Sequence, residues 1–328
     1  MRPGQPGFAA RAAGAGRQII RRLAQTMPVL LVVAIVTFTL LHLLPGDPAV
    51  MIAGDQAGPE VIARIRTELG LDRPLLVQLL HWLWALVQGD FGRSLLLNQT
   101  VLSAVVERLP VTGSLALLSL LITLPIGILL GTLAAYYRGT WLDSTVMGVA
   151  LLGVSIPSFW IGIVSILVFG AILHWLPTGG YVPLAQGLRP WLACLVQPAV
   201  VLALFQIGFL ARLTRSAMLD TLHQDYIRTA RAKGLGEWLT VARHAFRNTL
   251  IPVITAIGII LSLLIGGSVI VEQVFALPGM GRLVVQAIMA RDYPLVQGAM
   301  LLFGLAFVLI NLAIDALYVI VDPRVRYG

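Results

Sequence analysis

The sequence predicts an all-α membrane protein: six transmembrane helices, one long external loop and a helix pair on the cytoplasmic side. Three observations carry that expectation. Hydrophobic residues fill 58% of the 328 positions and charged residues only 12%, about half the ~25% usual in soluble domains. Six apolar runs recur, at Met27 to Leu44 and then near 113–136, 145–175, 191–211, 249–271 and 299–321. Each is close to or beyond the ~20 residues that cross a ~30 Å hydrocarbon core as a helix. Between the fourth and fifth lies one charged, water-loving stretch, DYIRTARAKGLGEWLTVARHAFRNTLIP, from Asp225 to Pro252.

Residues 1–26 are rich in Gly, Ala and Arg and form an N-terminal tail, assigned to the cytoplasm; residues 27–45 are the first transmembrane helix. Five arginines precede that helix, as in a secretory signal. It is longer than the ~7–15 residues of a signal core, and LLPGDPAV after it offers no clear small-x-small cleavage site, so it reads as an uncleaved anchor. Residues 46–112 form the external loop, with short amphipathic helices. Pro59 to Leu71 is one candidate. Leu75 to Val87 is apolar for only 13 residues, so it lies along the membrane face or packs on the bundle, with Trp82 and Trp84 at the interface. Residues 113–321 hold the remaining five helices, with a cytoplasmic segment at 212–248 and an external one at 272–297; residues 322–328 are a cytoplasmic tail.

Ser144 to Trp175 is too long for one perpendicular span and too short for two. If it crossed twice, the seven basic residues of 212–248 would face outward, against the positive-inside rule. Crossing once, the cytoplasmic segments carry 15 basic and 5 acidic residues and the external ones 8 and 9, with Asp315 in the membrane. One long helix is therefore expected, bent or opened around Ser155-Ile156-Pro157-Ser158, because proline removes a backbone donor and clashes with the preceding turn.

The charged stretch contains the only lysine, Lys233, with Arg228, Arg231, Arg243 and Arg247. Asp225 to Lys233 has helix-forming content, and Gly234, directly after a basic last turn, is a helix stop signal. The second half reads as another helix, with Trp238, Val241, Ala242, Ala245 and Thr249 on one face and Arg243, His244, Arg247 and Asn248 on the other. Small residues beside the bend (Thr229, Ala230, Ala232) let a partner approach the backbone, while the arginines pair with its acidic groups. The alternative is a solvated basic loop.

RTARAKG, followed by RHAFRNTLIP, resembles the cytoplasmic coupling segment (the EAA loop) of ABC importer permeases. In detail it resembles the dipeptide, oligopeptide and nickel branch, in the member of the permease pair with a long first external loop. The general pattern has Glu-Ala-Ala where this chain has Arg228, Thr229 and Ala230, and its proline lies nearer the glycine than Pro252 is to Gly234; both departures fit the peptide branch. GDFGRSL, VFALPGMGRL, RDYPLVQG and the ending Asp322-Pro323-Arg324-Val325-Arg326-Tyr327 are similar to the same branch, so the resemblance runs from about Arg21 to the last residue.

The resemblance implies a type I ABC importer permease-like fold in the bacterial cytoplasmic (inner) membrane, with both termini cytoplasmic. It implies a heterodimeric permease with a second, related subunit, two ATPase subunits and an external solute-binding protein. Arg228, Thr229, Ala230, Arg231, Ala232, Lys233 and Gly234 would meet the ATPase. No catalytic residue or cofactor is implied in this chain; ATP and Mg sit on the partner ATPases. The cargo would be a di- or oligopeptide or a similar small solute.

The residues also exclude chemistry. A phosphate-binding loop ends in Gly-Lys-Ser/Thr, yet the sole lysine follows Ala232, so this chain builds no ATP site of that kind. The 22 arginines and one lysine gather on no element interleaved with aromatics, which argues against nucleic acid. Cys194 is the only cysteine, so no internal disulfide forms. His42, His81, His174, His223 and His244 are scattered over different segments without metal-ligand spacing. Asp315 is the one ionisable residue deep in a helix, about 10 Å from the cytoplasmic end by helical rise. Asn311 and Tyr318 share its face; the three suit either a polar contact with a partner or hydrogen-bonded packing, and one carboxylate is thin support for a proton relay. Ser155, Pro157, Ser158, Trp160 and Gln206 are candidates to line a translocation pathway, although helix packing explains them equally well. A serine hydrolase built from Ser155 and His174 is set aside, since unbroken helix would hold them ~28 Å apart. The rival readings are a stand-alone secondary carrier or channel, and an exporter subunit.

Overall fold

The computed structural model describes residues 26–39, 42, 48–53, 57–68, 70–94 and 96–321, and for 48, 51, 52, 242, 251 and 313–321 the backbone alone. Apart from Thr26, the expected tails at 1–26 and 322–328 lie outside the described residues. The described residues are helical with no strand, save an isolated antiparallel bridge between Arg93 and Thr100.

The helices are α1 (Thr26–Thr39), α2 (Pro48–Ala53), α3 (Pro59–Glu68), α4 (Leu75–Val87), α5 (Val101–Tyr136), α6 (Trp141–Ser155) and α7 (Ser158–Ser165). There follow α8 (Leu188–Leu222), α9 (Asp225–Ala232), the single turn α10 (Glu237–Leu239), α11 (Phe246–Val274), α12 (Met280–Met289) and α13 (Tyr293–Val321). Among the described residues four helices are long and apolar enough to cross a membrane, a fifth if the bent pair α6 and α7 is one span, and α1 is helical over its described stretch. Two of them outrun the apolar windows that reveal them. α5 has 36 residues and α8 has 35, so each is over ~50 Å long at 1.5 Å per residue. The outer residues counted as loop before 113, and the first residues counted as coupling segment after 211, are therefore extensions of membrane helices.

Two compact units divide the chain, 1–107 with 283–313, and 108–282 with 314–328. In the second, α8 is the hub. Lipid tails are as apolar as leucine, so close packing rather than hydrophobic burial must hold membrane helices together. Glycines supply that packing. A Cβ added at Gly131 of α5 would sit 2.5 Å from the Ala211 carbonyl oxygen, and one at Gly127 would lie 2.9 Å from Leu210. On the other side a Cβ at Gly208 would overlap the carbonyl oxygen of Ala150 in α6. Leu115, Leu195, Leu202, Leu210, Ile260, Leu264 and Phe275 then form a fully enclosed core between α5, α8 and α11.

The helix expected at 145–175, bent or opened around Ser155 to Ser158, is broken at that place into two helices meeting at 96°. The last bond of α6 runs from Ile156 N–H to the Leu152 carbonyl at 3.0 Å. The next would need an N–H at Pro157, which proline lacks. α7 restarts when the Trp160 and Ile161 N–H groups donate to the Pro157 carbonyl. It then loosens into a π-helical stretch, Ile166–Ile172.

At the end of α11 remote from the charged stretch, VFALPGMGRL folds around Glu272, whose side chain is 0% exposed. Thr112 Oγ1 donates to it at 2.7 Å and Arg282 N–H at 3.0 Å, while Met280 N–H donates to Thr112 Oγ1 at 2.9 Å. An added Cβ at Gly279 would overlap that carboxylate. One buried carboxyl group thus ties α5, α11 and α12 together.

In the first unit Asp292 has a parallel role. It caps α13 through Leu295 N–H at 3.1 Å and accepts from Ser94 Oγ at 2.6 Å and Leu96 N–H at 3.0 Å. His42 bonds the Phe38 carbonyl at 2.8 Å and Gln78 of α4 at 3.3 Å. Trp82 of α4 stacks on Phe38 at 5.9 Å, so α4 packs on α1.

Candidate functional site: a basic elbow and a cavity at a broken helix

The elbow is built by a glycine cap. α9 ends at Ala232, and Gly234 takes the left-handed region at φ +81°. Leu235 N–H then donates back to the Ala230 carbonyl and Gly234 N–H to that of Arg231, the paired bonds of a Schellman motif. Only glycine adopts this conformation without a Cβ penalty. After the bend α10 runs through a π-helical turn, Thr240–Ala245, directly into α11. The expected helix, bend and helix are present, with the second continuous with a membrane span.

Packing decides which residues the elbow shows. Ile227 inserts among Ala135, Met218, Val241 and Ala245 in a small second core. Asn248 donates to the Tyr226 hydroxyl at 2.6 Å, a further link from α11 to α9. Arg228, Thr229, Arg231, Ala232, Lys233 and Gly234 are exposed, whereas Ala230, expected with them, turns inward at 6% exposure. Its smallness serves the chain's own packing. Arg231 does not wait for an outside partner either. It holds Glu237 across the bend through Nε at 3.0 Å and Nη2 at 2.5 Å, and that hydrogen bond raises the guanidinium pKa above its ordinary value. Arg228 pairs more loosely with Asp225 at 3.5 Å. On the second half, Val241, Ala245 and Thr249 are buried, Arg243, Arg247 and Asn248 are exposed, and Trp238 lies exposed with its ring edge-on to Tyr136 at 5.8 Å. Ala242 lies outside the described side chains.

A second polar tie braces this end. Arg215 of α8 grips Asp143 of α6 in a bidentate pair at 2.6 and 2.7 Å, and Gly139 N–H donates to the same carboxylate at 3.1 Å. Planar guanidinium and carboxylate match in this fork geometry, which fixes angle as well as distance.

The break between α6 and α7 opens a cavity of about 450 Å3. Ser155, Pro157, Ser158 and Gln206, four of the five pathway candidates, line it. Trp160, the fifth, does not; its side chain is 54% exposed and is not part of the lining. Sequence reasoning missed Gly266, Gly267 and Ser262 of α11, which complete the wall. Their small size was the signal. The same reasoning passed over Glu272 and Asp292, although an Asp directly before Tyr293-Pro294 is a readable helix cap.

The remaining candidates are dispersed. Asn311 donates to the Phe307 carbonyl one turn back at 2.9 Å. Asp315 and Tyr318 lie on the α13 backbone, and their side chains are outside the described residues. Cys194 is buried and donates to the Trp191 carbonyl at 3.1 Å. His174 and His223 bond carbonyls close by in sequence, and among the described residues no three His, Cys, Asp or Glu side chains converge on a metal position.

Comparison with known proteins agrees with this architecture. Residues 127–327 match the profile of the binding-protein-dependent transport system inner membrane component, and residues 16–116 match that of its N-terminal membrane component. A protein of Brucella abortus (strain 2308), named by inference a peptide transport system permease protein, is 59% identical over 309 residues, covering 94% of this chain and 98% of the relative. The glutathione transport system permease protein GsiC of Salmonella typhimurium (strain LT2) is 41% identical over 309 residues, with the same coverage of 94% and 98%. Among solved structures, an inward-facing conformation of the MetNI methionine ABC transporter superposes with a TM-score of 0.53 at 22% identity, covering 68% of this chain and 96% of that one.

Proposed function

The chain belongs to the family of binding-protein-dependent transport system inner membrane components, and from that premise we propose that its elbow is the contact through which separate ATPases drive the uptake of peptides. As a family member it is a multi-pass inner membrane permease of a binding-protein-dependent ABC importer. In the proposed assembly it pairs with a second, related permease, seats two ATPase subunits that hold ATP and Mg, and receives solute from an external binding protein. Both termini and the elbow lie in the cytoplasm, the side to which the excess of arginine assigns them. Peptides are the proposed cargo because the relatives are named for peptides and for glutathione, itself a tripeptide.

The observation that carries this reading is the division of faces on α9. Ile227 and Ala230 anchor it from beneath, while Arg228, Thr229, Arg231, Ala232 and Lys233 stand on the surface beside a rigid glycine cap. A helix held so firmly yet showing cations suits an acidic cleft on another protein. ATPase closure would push α9, and the push would pass through the small core into α8 and α11, rocking the helices between inward-open and outward-open states.

A cysteine at the exposed Lys233 tests the arrangement, since the native Cys194 is buried. A membrane-impermeant maleimide should reach position 233 only from the cytoplasmic face, and the bound ATPases should shield it. Labelling from outside, or no shielding, overturns the proposal. Peptide movement into liposomes by the chain alone would favour the stand-alone carrier.

A further inference from the structure

The cavity holds a polar group that the fold does not use. Gln206 is 3% exposed, lines the cavity, and its amide oxygen is buried without a hydrogen-bond partner among the described residues. Buried polar groups are nearly always paired, so each exception needs a reason. Gln197, nine residues before it on α8, is half satisfied by donating to Ser165 Oγ at 2.9 Å and lies outside the cavity. Gln206 makes no such bond among the described residues.

Three further features share the same wall. Gly153 lines the cavity, and its carbonyl has no helical donor because the residue four positions on is Pro157. Ser155 and Ser262 spend their hydroxyl protons on the Leu151 and Gly258 carbonyls, at 2.8 and 3.0 Å, and so offer acceptor lone pairs to the cavity. Gly266 differs from the packing glycines: a Cβ built there meets nothing within 4 Å. Its missing side chain leaves room rather than permitting helix contact. None of the lining residues is charged.

We infer that this cavity is a subsite that reads the main-chain amide of a peptide in transit, with Gln206 as its specificity-determining residue. An amide side chain both donates and accepts, so it pairs with a peptide unit from either direction. The Gly153 carbonyl and the two serine oxygens accept a second N–H. A volume of about 450 Å3 lies within the ~300–1,000 Å3 of small-molecule sites. An uncharged lining holds the middle of a peptide without retaining its charged ends, as passage requires. The inference rests on the reading of this cavity as part of the pathway, and the test separates the two.

The complete transporter carrying Gly266→Cys is placed in nanodiscs, and N-ethylmaleimide labelling of position 266 is followed by mass spectrometry of this chain. Trialanine and its backbone N-methylated analogue are the probes, with and without Gln206→Leu. Position 266 should react, and trialanine at nine-tenths occupancy should slow the reaction about tenfold. The N-methylated analogue should protect severalfold less, and Gln206→Leu should remove most of that difference, leaving the part due to the Gly153 and serine acceptors. If position 266 reacts but trialanine gives no protection, or the preference survives Gln206→Leu undiminished, the amide-reading role is overturned while the pathway reading stands. If position 266 stays unreactive both without nucleotide and with vanadate-trapped ADP, the pathway reading falls and takes the subsite with it.

Discussion

The elbow and the cavity are both built partly on α8, and they treat polar groups in opposite ways. At the elbow Arg231 is matched by Glu237, Asn248 by Tyr226, and the last carbonyls of α9 by the glycine cap. What remains outward is positive charge on a stiff support. In the cavity there is no charge, the Gln206 amide oxygen has no partner among the described residues, and the Gly153 carbonyl faces a proline that has no N–H to give. A surface that must dock and transmit force gains from having its internal bonds closed. A passage that must bind and release gains from weak, open valences. Mutations should therefore separate the two regions, except where they share a support.

Gly131→Leu strikes that shared support. A side chain cannot fit 2.5 Å from the Ala211 carbonyl, so α5 cannot close on α8. Subunit abundance in isolated membranes should fall below about a tenth of wild type, taking docking and transport together. Normal abundance would mean that the glycine approach does not set the packing. Gly234→Val touches only the elbow. The φ of +81° then costs a β-branched residue at least the ~1–2 kcal/mol of a left-handed position. ATPase co-purification and uptake should drop together about tenfold, with insertion and reactivity at position 266 unchanged.

Pro157→Ala touches only the cavity. Restoring an N–H lets α6 and α7 approach one helix, and uptake should fall severalfold while ATPase co-purification stays intact; equal loss of both would erase the contrast. The smallest effect belongs to Arg231→Gln and Glu237→Gln. Their side chains are 41% and 47% exposed, where an ion pair contributes at most about 1 kcal/mol and is screened by salt. Uptake should change less than about fivefold for either, and the double variant should be no worse than the singles.

These contrasts also explain how far the sequence could be read. Leu75–Val87 is a helix over the run its apolarity marks, and Gly234 bends the chain after its basic turn, because both signals are local. α5 and α8 run past their apolar windows, since hydropathy ends where the bilayer does and a helix continues beyond it, in α8 with Arg212 and Arg215. Pro157 announces an interruption, but the 96° angle is set by what packs around the two halves. Trp160 lies on the same broken segment but outside the cavity lining, and residue type alone does not say which side of a helix faces a cavity. Glu272 and Asp292 find partners 160 and 196 residues away, a distance over which no spacing rule operates.

From Gln206 to Leu222, α8 contains no proline and no π-turn; its two prolines, Pro190 and Pro198, lie beyond Gln206, away from the elbow. That stretch is a stiff crank about 24 Å long, with Gln206 in the cavity wall at one end and Met218, seated against Ile227, near the other. A crank cannot absorb slack. Whatever turns it near α9 turns the cavity wall by the same angle, and the joint free to give way is the right-angled gap beside Pro157.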